Sequence, residues 1–159
     1  MNEFALARVL HVLSIVLWIG GVAFVTTVLL PAVYTLKEPE ERLAFFESIE
    51  GKFAWQARFT TVLAGATGFY LVHLMGAWSW FGMPERWYLW AMVLVWFLFT
   101  AMLFVLEPLV LHPWFHKRGK ADPVGTFAFI HRMHWVLLTV SLIAIAGGVA
   151  GAHGWLFIP

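Results

Sequence analysis

The sequence calls for an all-α fold, a bundle of four transmembrane helices, on three counts: composition, the length of its apolar runs, and the placing of its basic residues. Of its 159 residues 62% are apolar and 12% charged, against roughly half and a quarter in a soluble domain. Water is therefore the wrong solvent for most of its surface. Four runs are each long enough, at 1.5 Å per residue, to cross a hydrocarbon core of about 30 Å. They consume most of residues 1–159, so a single integral membrane domain is expected, with no extramembrane catalytic module.

The first span covers residues 4–31 and closes on Pro31, which cannot continue the hydrogen-bond ladder. No Lys/Arg-rich leader or cleavage pattern marks it as a removable signal. Over residues 39–53, Glu40 and Glu41 suit a first helical turn, and Leu43, Phe46, Ile49 and Phe53 recur at helical spacing. A short amphipathic helix on the cytoplasmic membrane surface is expected there. The second span covers residues 55–81. Gly82-Met83-Pro84 then turns the chain into a third span over residues 87–112, antiparallel to the second. The fourth, residues 127–157, follows the polar stretch 117–123. Trp55, Trp78, Trp80, Trp87, Tyr88, Trp114 and Trp155 gather at expected span ends, where amphipathic rings favour the headgroup level.

Lys37, Arg42, Lys52 and Arg58 lie between spans one and two, and Lys117, Arg118, Lys120 and Arg132 between or beside spans three and four. Only Arg8 and Arg86 fall on the other side. This asymmetry makes the two basic loops cytoplasmic and leaves both termini outside. The net charge of +1 and the lack of a basic tract give no reason to expect nucleic acid as a partner; the lipid bilayer is the expected one. Absence of cysteine excludes intrachain disulfides and thiolate metal sites. No nucleophile triad, phosphate-binding glycine loop or zinc-hydrolase motif is present, which argues against a hydrolase. A faint internal duplication pairs Leu30-Pro31-Ala32-Val33 with Glu107-Pro108-Leu109-Val110, and Arg58 with Arg132, as in a parallel two-plus-two repeat.

Seven histidines carry the chemical signal, since imidazole within a bilayer is costly unless bound or hydrogen-bonded. His11 and His73 fall at matched depth, on the order of 10 Å below the outer face. Neutral imidazoles so placed on two helices are what bis-histidine haem ligation requires. Gly65, Gly68, Gly76 and the Gly20-Gly21 pair would leave room for a porphyrin or, more plainly, serve helix packing. Arg8, one turn outside His11, suits a haem propionate, and His153 is a reserve outer ligand nearer the surface. Toward the cytoplasm, His134 with His112 or His131 would serve a second haem. With His116 and Glu107 the same histidines would form a copper or divalent-metal site, and interfacial histidines also need no ligand at all. Glu107, a carboxylate within a span, is expected to pair with a basic residue or relay protons. Arg58 and Arg132 suit haem propionates, a quinone headgroup or lipid phosphate.

Leu10-His11-Val12-Leu13 with Leu17-Trp18-Ile19-Gly20-Gly21, Arg58-Phe59-Thr60 leading to Thr67-Gly68, and the glycine-rich end of span four resemble the four-helix unit of the copper-resistance protein D superfamily of bacterial membrane proteins. The resemblance implies a bacterial inner membrane and copper handling. The similar HemJ-type porphyrinogen oxidases bind haem b through a histidine of their first span, a role that falls on His11 here. The expected function is a small b-type cytochrome with one or two haems, transferring electrons to or from quinone or a redox partner. The alternatives are a copper-handling protein, a HemJ-like oxidase, and a cofactor-free structural subunit. Assembly as a homo-oligomer or within a larger complex is open.

Overall fold

A computed structural model describes residues 2–155, except the side chain of His112. The expected end of span four at Phe157 lies outside the described residues. Every regular element among the described residues is helical.

Helix α1, Glu3–Leu36, starts on Asn2, whose Oδ1 accepts the Ala5 N–H at 3.3 Å. Its inward stripe, Ser14, Trp18, Val22, Val25, Leu29 and Val33, recurs every three or four residues. Pro31 does not end the helix as expected. The turn before it, Val25–Leu29, widens to π register, and Pro31 then occupies the first turn of the α segment Leu30–Leu36, where a missing N–H is tolerated.

Helix α2, Pro39–Leu74, corrects the expectation of a separate surface helix. The segment over residues 39–53 continues without a break into the second span, because nothing after Pro39 breaks the ladder and Phe46, Ala54 and Ala57 are buried against the bundle. The 36-residue helix measures about 54 Å, so its first part projects beyond any bilayer core. It ends at Leu74, short of the expected Phe81, because Gly76 takes φ +60° and turns the chain into 3-10 turns at Ala77–Gly82 and Pro84–Arg86.

Helix α3 covers Trp87–Ala101 and continues in π register over Met102–Leu111, around Pro108. Helix α4, His112–Ala121, follows directly, with Pro113 in its first turn, where a missing N–H is tolerated. Helix α5, Pro123–Ala152, begins four residues before the expected span; Asp122 caps it, accepting the Gly125 N–H at 2.8 Å.

Three helical stretches are long and apolar enough to cross a membrane: Glu3–Leu36, Pro84–Leu111 and Pro123–Ala152. They turn Val12, Val16, Leu94, Phe97, Leu142 and Ile143 outward, the arrangement a bilayer favours. Helix α2 is absent from that group, since Arg58, Thr60, Thr61, Thr67 and His73 lower its hydropathy. It nevertheless runs antiparallel along α1. Tyr70 donates to Glu3 at 3.2 Å, His11 meets Ala64 and Thr67, Gln56 Nε2 donates to the Leu17 carbonyl at 3.3 Å, and the Phe53 ring fills the space at Gly21. Helix α3 packs chiefly on α5. Trp18 meets Phe99 edge to face at 4.9 Å in the central core, and Leu30, Val33, Phe46, Phe127 and Ile130 close the end bearing the basic loops.

Candidate functional site

Polar chemistry collects at two levels. Toward the termini, His11 is half-buried between α1 and α2. Its Nδ1 lies 3.0 Å from the Ala64 carbonyl and 3.2 Å from Thr67 Oγ1. The Thr67 hydroxyl itself donates to the Leu63 carbonyl at 2.6 Å, so the Ala64 carbonyl takes the Nδ1–H and fixes the tautomer with Nε2 as the free acceptor. A Cβ at Gly68 would stand 2.9 Å from His11 Cε1, so that glycine seats the imidazole.

The structure does not bring His73 to it. Because α2 stops at Leu74, His73 sits exposed in the last turn, on the order of 8 Å further along the axis than Gly68 and roughly 140° around it. Depth counted from a span ending at Phe81 is therefore corrected. The other glycines serve packing: Gly65 seats the Trp96 indole and Gly21 the Phe53 ring. Arg8 is exposed one turn from His11, and His153 is exposed at the end of α5 with Nδ1 2.8 Å from the Val149 carbonyl.

The second level is nearer the basic loops, where one π segment contains Pro108 and the other is followed by Pro31. In π register the Leu103 carbonyl would accept from residue 108 and the Thr26 carbonyl from residue 31, but both are prolines without an N–H. Side chains of other helices take those places. Arg58 Nε donates to the Leu103 carbonyl at 3.0 Å, and His131 Nε2 lies 3.1 Å from the Thr26 carbonyl. Trp135 Nε1 also lies 3.1 Å from His131 Nε2, which cannot both donate and accept. The Thr26 carbonyl, which lacks its backbone donor, and the Trp135 indole N–H thus compete for one ring nitrogen, and between them they hold the His131 imidazole in place. The expected pairing of Glu107 is observed: Arg58 Nη2 donates to its Oε1 at 2.9 Å.

The ion pair borders a cleft of about 110 Å³ between α1, α2, α3 and α5, lined among others by Trp18, Glu47, Glu50, Glu107 and His134. Burial, reinforced by the charge of Glu107, pushes the Glu50 carboxyl up to about 7, against the opposing pull of Arg58. His134 holds the Ile130 carbonyl at 2.9 Å through Nδ1 and meets the Phe46 ring edge to face. His116 Nε2 lies 3.3 Å from Glu47 at the outer rim.

Comparison with known proteins finds no match. The chain matches no family model, no curated protein and no solved structure. Function must therefore be argued from the two levels themselves. Among the described residues no group of three or more His, Asp or Glu converges to hold a metal ion, and the side chain of His112 lies outside them. The cleft, about 110 Å³, is of a size that holds water. Glu47 and Glu50 escape a sequence reading because a surface helix would leave both solvated. Continuing the helical stripe 47, 50, 54 and 57 past Trp55 is the signal that finds them.

Proposed function

We propose that the chain is a four-span protein of the bacterial inner membrane that binds haem b through His11 and transfers electrons. Support for the fourth crossing comes from the contacts of α2 with α1 from Phe53 to Tyr70, which follow the apolar length of a helix able to cross. The residues from Trp55 to Leu74 span on the order of 30 Å, a bilayer core. Even numbers of crossings put both termini on one side, and the excess of Lys and Arg at the opposite end favours the cytoplasm there.

The observation that carries the haem assignment is the anchored imidazole. His11 has its Nδ1–H committed to Ala64 and its ring seated on Gly68, which leaves Nε2 as a neutral donor of electrons to iron. The residues present thus fit one axial ligand. Bound haem supplies a one-electron couple. The chain orients the ligand through Ala64 and Gly68, and exposed Arg8 sits within one turn to meet a propionate. Quinone or a redox protein at the outer face is the partner class such a site serves.

An absorption spectrum of the detergent-purified protein, oxidised and then reduced, tests this. Sharp reduced α and Soret bands are expected, lost in His11→Ala and retained in His73→Ala. A featureless spectrum from protein expressed with ample haem would overturn the assignment.

A further inference from the structure

The cleft near the basic loops holds a carboxyl that the haem assignment does not use. On α2, Glu47, Glu50 and Arg58 lie within about 80° of one another around the helix axis, so they share one stripe. Helix α3 presents Glu107, joined to Arg58; α5 presents His134; and α4 presents His116, which touches Glu47 at the rim. Helix α1 adds no charged group to the cleft but places Trp18 there. The Trp18 side chain is only 4% exposed, and its indole N–H is buried without a protein acceptor. A buried donor without a protein partner is ordinarily met by water, and a cleft of about 110 Å³ that carries carboxylates on a largely apolar wall holds a small cluster.

We propose that this cleft is a proton-binding vestibule in which the Glu50 carboxyl takes up and releases a proton opposite the Arg58–Glu107 pair. In the loading step one hydronium gives its proton to a Glu50 carboxylate oxygen, leaving a carboxylic acid and one water. The reverse step returns the proton to water. Waters hydrogen-bonded to the Trp18 N–H carry it inside the cleft, and the Glu47–His116 contact lies where the cleft meets solvent. A proton suits the site better than a metal ion, because no three ligands converge there among the described residues and Arg58 holds Glu107. Burial and the neighbouring carboxylates hold Glu50 near neutrality, where loading and release are both accessible.

Infrared titration of the carboxylic C=O stretch, on the full chain in lipid nanodiscs, reads this group directly, whether or not haem is bound at His11. One carboxyl titrating near pH 7 is expected, absent in Glu50→Gln. In Glu107→Gln the midpoint should fall by about one unit, since a charge that disfavours the ionised form is gone. The second variant keeps the test open if Glu50→Gln does not fold. The proposal is overturned by the absence of any carboxyl titrating between pH 6 and 8, by a titration unchanged in either variant, or by a midpoint that follows sodium or potassium at constant ionic strength, which would mark a cation site.

Discussion

Arg58 does two jobs with one guanidinium, and the geometry separates them. Its Nε replaces the amide that Pro108 cannot offer to Leu103, and its Nη2 meets Glu107. Removing the side chain in Arg58→Ala should lower stability in detergent by about 2 to 3 kcal/mol, the range for losing charge-assisted bonds at a partly buried pair. Much of that cost should be coupled to residue 108. Pro108→Ala restores a backbone N–H, so in that background the loss of Arg58 should cost about 1 kcal/mol less. Thermal unfolding of the four proteins closes the cycle, and equal costs in both backgrounds would leave the Glu107 pair as the whole effect. Arg58 and Glu107 were each visible in the sequence as charges inside or beside apolar runs. Their connection was not, because it depends on which way each helix faces and on a register shift that hydropathy does not record. His131 illustrates the same gap: its residue type says nothing of the Thr26 carbonyl, left without a backbone donor by the proline at position 31 on another helix, that sits 3.1 Å from its Nε2.

At the scale of the element, α2 shows where periodicity stops being informative. The spacing of Leu43, Phe46, Ile49 and Phe53 marks a helix correctly, yet it does not say whether that helix bends onto the membrane surface or continues. Inward burial of Phe46 and the seat that Gly21 gives to Phe53 decide for continuation. Gly51 tests this, because it is exposed and a Cβ there would meet nothing within 4 Å. In the interior of a continuous helix, Gly51→Ala should stabilise by up to about 1 kcal/mol, the ordinary difference in helix propensity. Were the chain hinged at that point, alanine would be neutral or harmful. The apolar runs of α1, α3 and α5 were legible because length and hydropathy suffice for them. The end of α2 was not, since the left-handed turn at Gly76 cuts the helix within a stretch that remains aromatic and apolar.

For the whole molecule, the number of crossings fixes which ends share a side. If α2 crosses with α1, α3 and α5, residues 2, 79 and 153 lie on one face and residues 38 and 120 on the other. If α2 stays at the surface, Ser79 must share the side of Glu38, and the two ends of the described chain fall on opposite sides. The chain has no native cysteine, so single introduced thiols report without background. Asn2→Cys, Ser79→Cys and His153→Cys should react with an impermeant maleimide on intact spheroplasts, because all three positions are exposed beyond the helix ends. Glu38→Cys and Lys120→Cys, also exposed, should react only after the membrane is opened. The proposed fourth crossing rests on the contacts of α2 with α1 at Leu17, at His11 and again at Glu3, and it predicts that residues 2, 79 and 153 share one side and residues 38 and 120 the other. Labelling of Ser79→Cys and Glu38→Cys from the same side would contradict the packing itself. Reversal of all five positions together would leave the bundle intact and overturn only the orientation drawn from the basic residues.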